Sequence, residues 1–478
     1  MPGSLVPGRH LFVLTVLQLH AMKILKINSV KFISVLPLMG ILAGCATYKE
    51  EPLSFQPSWP AGISRLKMDT ANMPLPELAS HKFDPGDGLD MTEVAMLAVA
   101  NNPQLKLARD DLGIARAQAF SAGLLPDPQV SFTPQIPQNG MPGENVTAYD
   151  LGLNYNISAL VMRASGVAIA KAETRKTDLA LLWQEWQVVG QARLLFARDS
   201  GRRALLQILQ DNRAIAALRY RREKTALDSG NLTLTAVALD ADALQGIDKQ
   251  INETERLIEQ NRHALNALLG LSPDTRLHLV GAAILPDLNR EAIAAKLPDL
   301  ARHRPDLMAL KHGYDAQDMK VRQAILAQFP AIGFGLLRAR DNTGIIYNGF
   351  SISLSLPIFN RNRGNIAIAK ATRHRMHDEF QARLNTAYSD VEQLLSDQGL
   401  LEKQLKTLDQ DLSSLSRLAG RADAAFETGD MSLATYYSLK NALSSKEVEK
   451  NMIEESMLEE RIALQTLVGG ELPTKESK

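Results

Sequence analysis

The sequence has very little cysteine, few aromatic residues and no excess of charge of either sign. Its 478 residues include one cysteine, 5% aromatic residues, and 53 basic against 53 acidic residues. A single cysteine excludes an internal disulfide and any metal or redox site built from several cysteines. The balanced charge argues against broad nucleic-acid binding, which needs a basic surface. An aromatic content of 5% is low for a compact enzyme but ordinary for a protein of long helices.

Catalytic motifs are also missing. His374 and His377 are three residues apart, but no glutamate completes a zinc-protease helix motif. The sequence has neither a phosphate-binding glycine-rich loop nor a GxSxG element. It therefore predicts a protein with no enzymatic activity and no metal or other non-covalent cofactor.

What the chain does contain is an internal repeat. Residues 102–270 reappear at 304–469, offset by roughly 200 positions. Ser229-Gly230-Asn231-Leu232-Thr233 corresponds to Thr428-Gly429-Asp430-Met431-Ser432. Each copy has the pattern of a helix, two short strands and two very long helices. Because such a unit cannot bury its apolar faces alone, the repeat predicts a symmetric, assembled protein.

The longest predicted helices cover about 164–228 and 366–427. Neither segment contains proline, and apolar residues recur at three- and four-residue spacing. A run of about 60 residues gives a rod on the order of 90 Å, which persists only when it packs beside other helices. Shorter return helices are predicted at 234–269 and 433–468. The segments 89–122 and 298–328 supply another helix in each copy.

Four short segments alternate apolar with polar residues, which predicts β-strands. They lie at 129–136, 149–157, 332–336 and 350–358. A half-buried soluble sheet alternates in this way, and so does a transmembrane barrel with a wet lumen. Four strands cannot close around a lumen, since about eight are needed to hold even side chains inside. Because open sheet edges are costly in lipid, a barrel would need several chains, and three copies would supply twelve strands.

The N-terminus has the features of an export signal. Lys23, Lys26 and Lys31 precede an apolar run at 32–41, and Leu42-Ala43-Gly44-Cys45 follows. These last residues resemble a bacterial lipobox, which implies cleavage before Cys45 and lipid attachment to its thiol. The alternative is a buried cysteine at the end of an ordinary signal. Met22 fits better than Met1 as the start of the protein, because a signal normally begins close to its basic region.

The order of these features, together with two local motifs, resembles the TolC-type outer membrane efflux family over about residues 89–470. One motif is Asn102-Pro103, which opens a helix that ends at 122–128. The other is the strand ending at 354–360, followed by Gly364. The two glycine-containing helix tips and the doubled arrangement complete the resemblance, and the lipobox is similar to that of the family's multidrug and heavy-metal branches.

The resemblance implies a mostly α-helical chain that contributes four strands to a transmembrane β-barrel. Three chains would form a homotrimer with a 12-stranded barrel in the outer membrane and a helical tunnel in the periplasm. The channel would be a passive conduit for an inner-membrane pump and its periplasmic adaptor. The implied segments are a signal peptide at 1–44, a lipid-anchored extended segment at 45–88, repeats at 89–282 and 283–470, and a tail at 471–478.

Within the family the helix tips are where the adaptor docks. The implied contact residues are Gly230, Asn231, Leu232, Thr233, Gly429, Asp430, Met431 and Ser432. Well-known members narrow the tunnel with carboxylates at positions that correspond here to Ala236, Leu239, Thr435 and Ser438, so that gate is not carried over. Asp240 and Asp242 are candidate pore carboxylates, although charges of this kind more often lie on a solvated helix face.

Two expectations remain open in the sequence. The first copy has Ala159 near the position where the second has Pro357, so the two strand-to-helix turns are expected to differ. The rival functional interpretation is a periplasmic coiled-coil scaffold lipoprotein with a small soluble sheet and no pore. The sequence leaves the transported cargo undetermined.

Overall fold

The computed structural model describes residues 47–60, 73–138, 146–285 and 288–468. The chain divides into two units, Met1–Ser58 and Trp59–Lys478. The described part of the first unit, residues 47–58, contains neither helix nor strand. All elements named below belong to the second unit.

The helices and strands of this unit repeat in the same order. The first set is α1 (Pro76–Ser80), α2 (Met91–Asn101), α3 (Pro103–Gly123), β1 (Gln129–Gln135), β2 (Ala148–Asn156), α4 (Ile157–Asp228) and α5 (Leu234–Leu268). The second set is α6 (Arg290–Lys296), a 3₁₀ turn (Leu297–Asp299), α7 (Leu300–His303), α8 (Pro305–Leu326), β3 (Ala331–Arg340), β4 (Ile346–Ser355), α9 (Arg363–Glu427) and α10 (Leu433–Val468). Thus α3-β1-β2-α4-α5 is matched by α8-β3-β4-α9-α10.

The start of α3 shows why the first helical segment breaks in two. The Asn102 side chain accepts hydrogen bonds from the backbone N–H groups of Gln104 and Leu105, and Pro103 occupies the first helical position. The same side chain donates to the carbonyl of Leu268 over 2.9 Å, which ties the start of α3 to the end of α5. The segment 89–122, counted above as one helical segment, is therefore two helices, and the second one opens at Asn102-Pro103 as that motif predicted.

The start of the corresponding helix in the second repeat, α8, is stabilised by different contacts. Arg304 takes the place of Asn102 and has no side-chain cap bond to offer the helix. Its guanidinium instead pairs with Asp306 over 2.8 Å and lies 4.8 Å from the centre of the Trp183 ring. An ion pair at the start of α8 and a cation–π contact with α4 thus stand where the first repeat has a helix cap.

Apolar packing is concentrated around the middle of α4 and α9, beside the C-terminal ends of α5 and α10. One cluster joins α2 and α3 to α4 and the end of α5; a corresponding cluster joins α6 and α7 to α9 and the end of α10. A third cluster, with Leu209, Ile251 and Tyr437 among its members, lies farther along the helices. The long helices are held by these separate patches and not by one continuous core.

The four strands form one antiparallel sheet in the order β1-β2-β3-β4. The outer edges of β1 and β4 have no strand partner within the described chain. The mostly helical architecture with two long helical hairpins and four antiparallel strands confirms the predicted fold class. Since β4 ends at Ser355, Leu356 and Ile358 lie beyond the strand that was predicted to include them.

Candidate functional site

The sheet has one continuous apolar face. The register aligns Val130, Leu153, Leu336 and Phe350 in a single row across all four strands. A neighbouring row contains Tyr155, Phe334 and Ile352. The side-chain alternation that the sequence predicted for each strand is therefore in phase from strand to strand.

The opposite face is polar and small. Gln129, Asn154, Gly335 and Ser351 form one of its rows. A Cβ atom at Gly335 would collide with the side chains of Asn154 and Ser351, so glycine leaves room for these polar groups to stand on this face. Serine and glycine also fill most of β4 on this side. Such a surface suits contact with water more than contact with a hydrophobic core.

The apolar face is not covered by any other described part of the chain. Phe350 is 71% exposed, Val130 is 70% exposed and Ile352 is 66% exposed. A half-buried soluble sheet would pack these residues on its own core, so this arrangement weighs against that interpretation. An apolar surface of this extent needs either a lipid environment or a protein partner.

The two strand-to-helix junctions differ, as the contrast between Ala159 and Pro357 predicted. β2 passes directly into α4, and the Asn156 side chain caps the helix by accepting from the Ala159 N–H over 3.0 Å. Helix α4 therefore begins at Ile157, seven residues before its predicted start at Ala164. In the second repeat a loop separates β4 from α9, and it contains two residues with left-handed backbone, Arg361 at φ 47° and Asn362 at φ 53°.

The two helical hairpins reverse at tips with the same backbone geometry. Gly230 (φ 76°) donates to the Leu227 carbonyl and the N–H of Asn231 donates to the Ala226 carbonyl. Gly429 (φ 83°) and Asp430 donate in the same way to Phe426 and Ala425. Both turns are Schellman motifs, which require a left-handed residue and explain the paired glycines. These hairpin tips, 229–233 and 428–432, lie at corresponding places in the two repeats.

The side chains at the hairpin tips are mostly exposed, and they begin the return helices differently. Leu232 and Met431 are half-buried, whereas Asn231, Thr233, Asp430 and Ser432 are exposed. The Ser432 hydroxyl accepts from the Thr435 N–H over 3.2 Å and so caps α10. Thr233 occupies the cap position of α5 but makes no side-chain cap bond, so only the second return helix is capped in this way.

A polar network that the sequence did not indicate braces the second hairpin beside its tip. Asp423 on α9 accepts from the Tyr436 hydroxyl over 2.9 Å and from Lys440 Nζ over 3.0 Å, both on α10. Donation from Lys440 holds the pKa of Asp423 below its ordinary value. Phe426 stacks on Tyr436 with ring centres 4.5 Å apart. The ends of α9 and α10 are thus joined by both charge and stacking.

The two candidate pore carboxylates lie in different environments. Asp240 is 7% exposed and pairs with Arg219 on α4, with 2.9 Å between Oδ1 and Nη2. Burial and a hydrogen bond with Glu223 raise the pKa of Asp240 to about 6, against the opposing charge of Arg219. Asp240 therefore faces the neighbouring helix, whereas Asp242 is exposed on the surface of α5.

Cys45, the predicted site of lipid attachment, lies outside the described residues. Within the described ranges, no group of three or more histidine, cysteine or acidic side chains is arranged to hold a metal ion. No helix in that same part of the chain is both long and apolar enough to cross a membrane.

The sequence and fold of this chain are similar to those of known proteins. Residues 297–470 match the family model described as outer membrane efflux protein. Over these residues the chain is similar to this family. The family consists of efflux proteins and not of enzymes, in agreement with the absence of catalytic motifs from the sequence. The match covers the second repeat, and the first repeat is related to it by the corresponding elements described above.

Relatives and solved structures of the family extend the match. The outer membrane protein OprJ of Pseudomonas aeruginosa is 28% identical over 218 residues, which are 42% of this chain and 45% of OprJ. The probable outer membrane lipoprotein SilC of Salmonella typhimurium is 23% identical over 335 residues, 60% of this chain and 71% of SilC. The Campylobacter jejuni CmeC outer membrane channel superposes with a TM-score of 0.65 at 18% identity, over 89% of this chain and 96% of CmeC. At this identity the superposition shows a shared fold.

Proposed function

We propose that this chain is the outer membrane channel of a tripartite efflux system, a passive conduit through which a pump and its adaptor expel substrates. The observation that supports it most is the sheet with an exposed apolar face and a polar opposite face, joined to helices of 72 and 65 residues. Such a sheet fits a barrel wall with lipid outside and water inside. The alignment covers only about half of OprJ. The channel activity of the complete protein is therefore a proposal here.

The assembly we propose is a homotrimer. Strands β1 and β4 each leave one edge unpaired in the described chain, and an open edge within lipid leaves backbone groups without partners. Pairing β4 of one copy with β1 of the next satisfies both edges. Three copies of four strands give a closed barrel of twelve, wide enough to enclose water.

The conduit would face the periplasm with its hairpin tips. The tip residues Gly230, Asn231, Leu232 and Thr233, with Gly429, Asp430, Met431 and Ser432, are proposed to contact the adaptor. This proposal is supported by the position of these residues at the ends of both hairpins. Most of them are exposed there, and a Cβ atom at either glycine would meet no other described atom within 4 Å. Asp242 is proposed as a pore carboxylate because it is exposed on the same hairpin. The lipid on Cys45 is proposed from the lipobox, and the relative SilC is named a probable lipoprotein.

The decisive experiment measures conductance and stoichiometry on the purified full-length protein. Single-channel recording in a planar bilayer should give discrete conductance steps, and chemical crosslinking should give a trimer as the largest species. A monomer without conductance would reject the channel and favour a periplasmic scaffold. A conducting species of another stoichiometry would reject only the trimer.

A further inference from the structure

Two arginines interrupt the apolar face of the sheet near the end that carries the hairpin loops. Arg338 and Arg340 occupy alternating positions of β3, in phase with Ile332, Phe334 and Leu336. In the register Arg338 lies beside Leu151 and Asn348, and Arg340 lies beside Tyr149 and Ile346. The same face therefore changes from apolar to cationic along one strand.

Neither arginine is neutralised by a carboxylate of the described chain. Arg338 is exposed, and no acidic residue lies on this face of the four described strands. The nearest loop carboxylate, Asp341, is occupied by the Thr343 hydroxyl at 2.7 Å and the Tyr347 hydroxyl at 2.8 Å. Because Tyr347 belongs to the polar face, its bond holds Asp341 toward that face and away from Arg338.

Arg340 is held in place by neutral partners. Its Nε and Nη2 donate to the Thr147 carbonyl over 3.1 Å and 2.6 Å, and its guanidinium carbon lies 5.4 Å from the centre of the Tyr149 ring. These contacts with a carbonyl and an aromatic ring fix the side chain without pairing its charge with a carboxylate.

The position of the arginines along the strand decides which environment they meet. From Ile332 to Arg340 is eight residues, about 27 Å along a strand and roughly 20 Å across a membrane at the usual tilt. An arginine at the bilayer midplane costs about 2–4 kcal/mol, whereas near the interface the cost falls to about 0–1 kcal/mol. Tyrosine beside arginine is also the composition of a membrane interface.

We infer that Arg338 and Arg340 form a phosphate-binding surface for the phosphorylated glycolipid of the outer leaflet. This inference rests on the proposed channel function, which places the loop end of the sheet outside the cell and the helices in the periplasm. Guanidinium groups bind phosphate oxygens in a bidentate way. On a lipid-facing wall the exposed Arg338, with the half-buried Arg340 beside it, would meet headgroup phosphates before any other anion. A trimer would present this pair three times around its circumference.

The test is lipid binding by the purified full-length protein in detergent, measured by native mass spectrometry with diphosphoryl lipid A. Arg338→Gln should weaken binding about fivefold, the effect of losing one basic residue near a charged lipid surface. Arg338→Gln combined with Arg340→Gln should weaken it further. The matched control is Arg221→Gln with Arg421→Gln, which removes the same charge from exposed helix positions and should leave binding unchanged.

Three results would overturn the inference. They are unchanged binding in the Arg338→Gln variant, equal loss in the helix control, and equal affinity of the unmodified protein for phosphatidylglycerol and lipid A. Conductance recorded on the same samples separates this inference from the proposed function. A conducting protein with unaltered lipid A binding rejects only the arginine surface, whereas a protein without conductance rejects the channel itself.

Discussion

Arg219 Nη2 lies 2.9 Å from Asp240 Oδ1, which bridges the two helices of the first hairpin. The guanidinium carbon of Arg219 also lies 4.6 Å from the centre of the Tyr437 ring on α10. Glu223, on the same helix as Arg219, shares the site and forms a hydrogen bond with Asp240. One arginine therefore joins α4, α5 and α10, and it pairs with both carboxylates at once, each over 2.9 Å.

This site predicts a pH dependence of stability. The pKa of Asp240 is raised to about 6, above its ordinary value, so the folded state holds the proton more tightly than the unfolded state. The stabilising contribution is then present at acidic pH and is lost as the pH rises through about 6. Compared with Asp240→Asn, the unmodified protein should gain thermal stability as the pH is lowered from neutral to 5. Unfolding temperatures across this range measure the difference.

Asp242→Asn is the control for this prediction, because Asp242 is exposed on the same helix. Its pH profile should follow that of the unmodified protein. If the Asp240→Asn and unmodified profiles remain parallel, the shared-proton site is excluded.

The two faces of β4 predict opposite tolerance to charge. Phe350 lies on the apolar face and Ser351 on the polar face. Phe350→Arg should cost up to about 2–4 kcal/mol in membrane insertion if the residue lies near the bilayer midplane. Ser351→Arg should be inserted normally, since its side chain would face the lumen of the proposed barrel. The measurement is the amount of assembled trimer in the outer membrane fraction, and similar amounts for both variants would reject the assignment of faces.

The glycines of the hairpin tips predict a purely conformational cost. A Cβ atom at Gly230 or Gly429 would meet no atom within 4 Å, so only the left-handed backbone opposes substitution. Gly230→Ala or Gly429→Ala should each destabilise the protein by about 1–2 kcal/mol. Gly246, inside α5 with equally open surroundings, provides the contrast, because Gly246→Ala should stabilise the helix by about 1 kcal/mol. Chemical denaturation of the three variants should show these opposite signs.

The proposed adaptor contact predicts that charge at the hairpin tips disrupts docking. Leu232→Glu and Met431→Glu place a carboxylate at a half-buried apolar position of each tip. Both should weaken adaptor pull-down and efflux while trimers remain intact on crosslinking. Leu239→Glu, at an exposed position about 10 Å farther along α5, is the control and should leave docking unaltered. Normal docking by both tip variants would reject the tips as the contact.

The proposed lipid anchor is tested by metabolic labelling. Cys45→Ser removes the only thiol of the chain, so incorporation of labelled fatty acid should be abolished. Ala46→Ser, the adjacent substitution, should leave labelling intact. Labelling that persists in the Cys45→Ser protein would exclude this residue as the anchor.

Much of the fold is readable from the sequence because its signals are long. The absence of proline predicts the long helices, and α5 and α10 end within one residue of the expected position. Two boundaries that failed lie at the strand-to-helix junctions. Asn156 caps α4 earlier than its periodicity suggests, and β4 ends at Ser355, before the predicted Ile358.

The site was less predictable because burial on a helix depends on its neighbours. Asp240 and Asp242 are only two residues apart, yet one turns toward Arg219 and the other toward solvent. Nothing in the spacing distinguishes them before the packing of α4 against α5 is known. Arg338 and Arg340 were missed because the predicted strand ended at Leu336, whereas β3 continues to Arg340 and places both arginines in its apolar phase.

The unequal junctions below the sheet have a mechanical consequence. Where β2 continues into α4 without an intervening loop, a movement of the helix is passed directly to the strand. Between β4 and α9 a loop with left-handed residues Arg361 and Asn362 intervenes, so the second strand and helix are not directly continuous. In the proposed trimer, twisting of the long helices would therefore reach the sheet mainly through the first repeat.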